Sequence, residues 1–297
     1  MGGIVLGAPA AASAKFSVFP STQQFTRPAG SVIAGSFKVG LTGERGAQFV
    51  LALRDVRQTP DGAFVFQPPT NSRFSASNWV AVIPRRFSGT PDRSQPINFV
   101  VRVPSNASPG DHITSINVIR LPKRKSVKTT GGVTTGVGIK AALAMRLTIR
   151  IPGALKQDVT MSSVDIPTII GGAPVIAQVS LTNNGNTFID FKNRHGALTI
   201  NDGDKVKARL PFVGLLYPGE TRTFRVRWES PPLLGHFDAR SSVDLGPKHA
   251  VSKSSSFWVL PWRQAGALLL IVLAAIVIAT GRRNQRRRRE KEKAASG

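Results

Sequence analysis

Apolar and polar residues alternate at period two through most of the chain between residues 16 and 260, which predicts strands rather than helices. In "AQFVLALRDV" the alternation sets Phe49, Leu51 and Leu53 on one face. "FSVFP", "SVIAGSFKVGL", "AFVFQPP", "NWVAVIP" and "INFVVRVP" behave alike, with Pro and Gly punctuation at roughly ten-residue spacing, as in a β-sandwich. "NFVVRVPSNASPGDHITSINVIRL" holds two apolar runs, Phe99-Val101-Val103 and Ile113-Ile116-Val118, parted by a polar corner. Pro104 lacks a ladder donor and ends the first run. Asn106 and Asp111 can bond nearby amides, and Pro109-Gly110 suits a tight turn, so the corner reads first as structural. "GIKAALAMRLTIRIPG" is ambiguous in its first half and alternates as a strand in its second.

A second unit begins near Leu155. "PVIAQVSLTNNGNTFIDF" predicts a hairpin at Asn-Gly, and "ALTINDGDKVKARL" another at Asp-Gly. "LYPGETRTFRVRWESPPLLGHFDARSSVDLG" then echoes the first unit: an alternating strand, a Pro-rich corner, a Gly and a second strand. The expected fold class is all-β, two tandem immunoglobulin-like sandwiches over 15–153 and 154–260, followed by one C-terminal transmembrane helix.

That helix is expected over 261–281. Residues 264–281 carry no charge, and at 1.5 Å per residue they span roughly 27 Å, near the ~30 Å hydrocarbon core. Trp258, Trp262 and Arg263 precede it, while Arg282, Arg283, Arg286 and Arg287 follow, the aromatic and cationic flanks of a bilayer span. Lipid is thus an expected partner. The expected placement is a single-pass cell membrane protein, its tail 282–297 cytoplasmic and its sandwiches outside. Residues 1–14, with Ala12-Ser13-Ala14, read as what remains of a signal peptide, although its usual cationic start is missing. No LPxTG sorting signal precedes the apolar run.

Charge sharpens the picture. The 297-residue chain carries a net charge of +24. Residues 15–153 hold 19 basic and 5 acidic side chains, whereas residues 154–260 hold 12 and 9, so an anionic partner is drawn to the first unit. Lys123, Arg124, Lys125 and Lys128 form one candidate contact, and Trp79 with Arg85 and Arg86 another. Cations beside an aromatic ring can grip an anionic glycopolymer by charge and a sugar by stacking. Nucleic acid would use the same physics, but the expected outside placement favours wall polymer over it. Cysteine is absent, which excludes disulfides and thiolate zinc sites.

Little in the chain points to catalysis. His112, His195, His236 and His249 show no metal-ligand spacing. "GGVTTGVG" lacks the ending of a phosphate loop, "NDGD" reads as a turn rather than a calcium loop, and Asn106-Ala107-Ser108 is an idle sequon. Glu44, Asp55, Asp61, Asp92 and Asp111 are the acids of the first unit, few for a glycosidase pair. No cofactor, no metal and no enzymatic activity are expected.

"FSVFP", "LALRDV", "NWVAVIP" and above all "VRVPSNASPGDH", closing with "RLTIRIPG", resemble the N-terminal domain of WxL-interacting proteins, Gram-positive surface proteins. The resemblance covers about residues 16–152 and sets Pro104, Asn106, Ala107, Pro109, Gly110 and Asp111 on the family's corner. It implies peptidoglycan binding by the first domain, a protein partner for the second and a secreted WxL-domain companion. The expected function is therefore a membrane-anchored scaffold docking on peptidoglycan or an anionic wall polymer. The alternatives are a wall-active enzyme, or an extracytoplasmic chaperone offering a free sheet edge to a client strand.

Overall fold

In the computed structural model the described residues are 15–43, 45–122, 141–193, 196–246, 250–261, 266 and 270–282. They divide into two compact units: residues 1–160 with 182–190 and 214–222, and residues 161–181 with 191–213 and 223–297.

The first unit contains β1 (Lys15–Phe19), β2 (Thr22–Thr26), β3 (Val32–Thr42), β4 (Ala47–Gln58), β5 (Phe64–Gln67), β6 (Val80–Ile83), β7 (Arg86–Gly89), β8 (Ser94–Arg102), β9 (Gly110–Arg120) and β10 (Ala141–Ile151). One sheet runs β1-β3-β8-β6 and the other β2-β10-β9-β4-β5, with β7 also on β4. With β1, β3, β6 and β8 as strands A, B, D and E, and β4, β9 and β10 as C, F and G, this is the immunoglobulin sandwich order. The alternating apolar positions meet between the sheets: Phe37, Ile97, Phe99 and Val101 from one, Phe49, Ile116, Val118, Met145 and Leu147 from the other, all buried. A Cβ on Gly35 would stand 2.3 Å from the Phe99 ring, so only glycine admits that ring.

The remaining strands are β11 (Val159–Asp165), β12 (Ile169–Ile170), β13 (Val175–Asn183), β14 (Ile189–Asp190), β15 (Gly196–Asp202), β16 (Lys205–Pro211), β17 (Leu215–Leu216), β18 (Thr221–Trp228), β19 (Gly235–Asp244) and β20 (Ala250–Val259). The short β14–β17 ladder belongs to the first unit. In the second unit the sheets run β11-β13-β18 and β12-β20-β19-β15-β16. Trp228 of β18 lies edge-on to Phe237 of β19 at 5.3 Å across the two sheets, and Phe191, in the turn after β14, meets Phe224 at 4.8 Å. The parallel β12–β20 pair repeats the parallel β2–β10 pair of the first unit.

Two expectations are corrected here. The Asp-Gly hairpin forms as β15–β16, but the Asn-Gly hairpin does not: β14 pairs with β17, not with β13. The buried Asn183 amide donates to the carbonyls of Thr187 and Leu216, and its Oδ1 accepts from Gly185 N–H, which carries the chain onward instead of back. The expected spanning helix is not upheld either. Among the described residues no helix is long and apolar enough to cross a membrane. The described helical residues there are 266 and 270–282. Their apolar side chains, Leu270, Ile271 and Val277 among them, are exposed. Arg282 is the last described residue, while Trp262, Arg263, Arg283, Arg286 and Arg287 lie outside the described residues, as does the expected signal segment 1–14.

Ile116, wholly buried between the sheets, tests the core. Ile116→Ala is expected to lose about 2–5 kcal/mol of unfolding free energy, read from urea melts followed by tryptophan fluorescence.

Candidate functional site

Strand β10 reads AALAMRLTIRI, and Met145, Leu147, Ile149 and Ile151 point into the core. Along one side β9 pairs with its whole length, from Ala141 opposite Arg120 to Ile151 opposite Gly110. Along the other side β2 pairs in parallel only from Arg146 to Arg150. Arg146 N–H donates to Ser21 O, and Arg150 O accepts from Arg27 N–H, so the even-numbered residues turn their backbone groups toward β2. Backbone groups alternate sides along a strand. Ala142 and Ala144 therefore aim their N–H and C=O past the end of β2, where no described strand pairs with them. Leu143, facing inward but 39% exposed, lies beyond the closed part of the core. Among the described residues the site is a short open sheet edge with small side chains on its outer face.

The far end of β10 is pinned. Asp111 is wholly buried, and its two oxygens accept from Arg150 Nε at 2.6 Å and Nη2 at 2.8 Å, a bidentate pair. Phe188 N–H also donates to Asp111, and the Phe188 ring lies 5.3 Å from the Arg150 guanidinium. The charge pair holds Arg150 above its ordinary pKa. Asp111 N–H donates to Asn186 O, and Asn186 returns its amide to Pro109 O. Gly110, at φ 130°, is required: a Cβ there would stand 2.5 Å from the Asn186 carbonyl oxygen.

Next to this anchor the His112 ring lies tilted against Trp79 at 4.5 Å and shares a hydrogen bond with Ser108 O at 2.8 Å. Burial pushes the imidazole below its ordinary value. Both rings line an open cleft of about 310 Å³ with Pro104, Asn106 and Ala107. A second cleft of about 250 Å³ holds Asp55, Arg57, Tyr217 and Glu220. Burial pushes the Asp55 carboxyl up, but donors from Ser75, Ser77 and Thr70 outweigh it and hold the group below its usual range. Glu220 pairs with Arg57. Burial pushes the Tyr217 hydroxyl up to about 12.

Of the residues singled out from sequence, the structure thus brings Trp79 together with Pro104, Asn106 and Ala107, while Pro109, Gly110 and Asp111 serve the anchor. Arg85 and Arg86 are exposed at the start of β7 and do not line that cleft. Lys123, Arg124, Lys125 and Lys128 lie outside the described residues, as do His195, His249 and Glu44. Trp258 is exposed on β20, where the His236 ring lies tilted against it at 4.7 Å. Among the described residues no cluster of three or more His, Asp or Glu could hold a metal. Sequence reading passed over the Ala142–Ala144 edge because its signal is the absence of a neighbouring strand, which no local pattern carries.

No family model matches the chain, and no curated protein matches it. Among solved structures it is similar to a chaperone–tip adhesin complex of CFA/I fimbriae, at 9% identity and a TM-score of 0.41, over 81% of this chain and 98% of that one. It is similar to the CsuC–CsuE chaperone–tip subunit complex from Csu pili of Acinetobacter baumannii (12%, 0.40, 82% and 98%). The Pseudomonas aeruginosa CupB2 chaperone is a third (12%, 0.39, 81% and 100%). A likeness of that size concerns the fold and fixes no activity.

The resemblance to WxL-interacting proteins is corrected accordingly: no family model matches the chain, and Pro109, Gly110 and Asp111 of the motif that carried it form an internal anchor. Asp111, the most buried residue of that corner, spends both oxygens inside the fold. The wall-docking scaffold, its peptidoglycan or glycopolymer partner and its WxL companion fall with that resemblance. The lipid partner and single-pass membrane placement fall with the spanning helix.

His112 supplies a pH test. Its folded pKa lies below the 6.5 of the unfolded side chain, so its contribution to stability is complete above pH 6.5. As pH falls below 6.5 the unfolded chain takes up the proton first, and stability is lost. The melting temperature is expected to drop between pH 7.5 and 5.5, with a smaller drop in His112→Gln, measured by circular dichroism; equal drops would show that His112 does not contribute.

Proposed function

We propose that the chain is a non-catalytic binding protein of the chaperone kind, holding an extended apolar segment of another protein along the open edge of β10. The observation that carries this reading is the pair of outward-facing peptide units at Ala142 and Ala144 beyond the end of β2. A client strand laid there would hydrogen-bond to both residues and bring alternate side chains beside the part-exposed Leu143. Small outer-face side chains leave the approach clear. In this reading residues 15–153 form the segment-binding domain, 154–260 form a second sandwich, and the corner from Pro104 to Asp111 braces the edge rather than touching the client.

An enzyme is disfavoured by the same residues. Asp55 and Glu220, the two acids on one cleft, are already engaged by hydroxyl donors and by Arg57.

Proline offers a selective block. At Ala142 and Ala144 it removes N–H groups that face outward and leaves the ladder to β9 intact. The double variant Ala142→Pro, Ala144→Pro is expected to bind a labelled, alternately apolar synthetic peptide roughly tenfold or more weakly, two hydrogen bonds being lost. Fluorescence anisotropy reads the affinity and a thermal melt checks the fold. Unchanged affinity in the double variant contradicts the edge reading.

A further inference from the structure

The β1-β3-β8-β6 sheet of the first unit turns Phe19, Val32 and Ile83 outward. At 74%, 67% and 72% exposure they are the three most exposed large apolar side chains of that unit among the described residues. Strand register gathers them on one surface. Phe19 stands in a row with Lys38 and Pro96, Ile83 faces Asn98 in the next row, and Val32 faces Arg102 at the far end. The row between carries only Ala34, Val100 and Ala81. Alternate residues of the same strands, Ile33, Phe37, Phe99 and Val82 among them, fill the core, so the outward apolar set is surplus to folding. A folded chain rarely exposes so many apolar side chains together unless something covers them.

Charge narrows what that is. No Asp or Glu occurs in β1, β3, β6 or β8. Lys38 and Arg102 are exposed at opposite ends of the apolar surface, and neither forms an ion pair among the described residues. A second copy of the chain laid on this face brings the same cations and no carboxylate. A lipid surface draws clusters of roughly four to eight cations, against the two found here. Asn98, exposed amid the apolar residues, is costly against hydrocarbon and well suited to a protein that supplies hydrogen-bond partners.

We infer that this face receives an amphipathic helix of a partner protein, its apolar stripe on Phe19, Ile83 and Val32 and its carboxylates against Lys38 and Arg102. The inference stands apart from the edge reading, because β10 belongs to the other sheet. A helix packed on a sheet is one of the stable layer arrangements. From Lys38 to Val32 along β3 is about 20 Å, which about four turns of helix span. The partner chemistry is therefore an apolar helical stripe with an acidic side chain at each end, about four turns apart.

Three synthetic amphipathic helices, alike except for Glu, Gln or Lys at the two end positions, test this with the full chain by fluorescence anisotropy. The Glu helix is expected to bind roughly tenfold more tightly than the Lys helix, with the Gln helix between them, and high salt should narrow the gap. Ile83→Ser, outside the core, is expected to weaken binding of the Glu helix roughly tenfold. The strand peptide of the edge test should bind that variant as before, and circular dichroism checks its fold. Equal binding of the three helices, or unchanged binding of the Glu helix by Ile83→Ser, overturns the proposal and leaves edge addition standing. A dimer in sedimentation that Ile83→Ser breaks, or flotation of the chain with phosphatidylserine vesicles, overturns it by showing a different occupant.

Discussion

A strand's peptide groups face alternate sides, and each side needs its own partner. β10 satisfies one side with β9 along its full length, but the other only where β2 reaches. How far β2 reaches is set where the chain leaves β1 on one sheet at Phe19 and joins the other sheet at Thr22. An earlier crossing would cover more of β10 and close the edge. With the crossing where it is, Ala142 and Ala144 are left facing outward. Backbone hydrogen-bond accounting is thus what turns an ordinary sandwich into a surface able to accept a further strand.

The edge is usable because the rest of β10 is held firm. Met145, Leu147 and Ile149 lock the strand into the core, and Arg150 ties its far end to the buried Asp111. A buried pair of this kind is a weak source of net stability, yet losing one partner would strand a charge, so it fixes geometry. An edge fixed before the client arrives costs little ordering on binding. The corner from Pro104 to Gly110, cradled by Asn186, passes that rigidity into β9 and so to β10.

Much of the fold was legible locally. Period-two alternation in "AQFVLALRDV" and "INFVVRVP" marked strands whose inward residues, Phe49, Leu51, Phe99 and Val101, are the observed core. The Asp-Gly hairpin also followed from its turn. What failed was non-local. Asn-Gly at 184–185 predicted a hairpin, but Asn183 bonds across to Leu216, distant in sequence. An uncharged run of residues suggested a bilayer span that the described helix does not supply. The "VPSNASPGD" corner suggested a surface family, whereas its aspartate pairs with Arg150, far along the chain. "AALAM" was ambiguous because alanine favours helix intrinsically and only pairing with β9 makes it a strand. Nothing within it reports that β2 stops short.

Amide hydrogen exchange followed residue by residue on the free chain tests the open edge most directly. Ala142 and Ala144 should exchange fast while Leu143 and Met145, whose amides face β9, are protected, and an alternately apolar segment should slow the first pair. Protection of Ala142 and Ala144 equal to that of Leu143 and Met145 in the free chain would contradict the account, because the edge would already be covered.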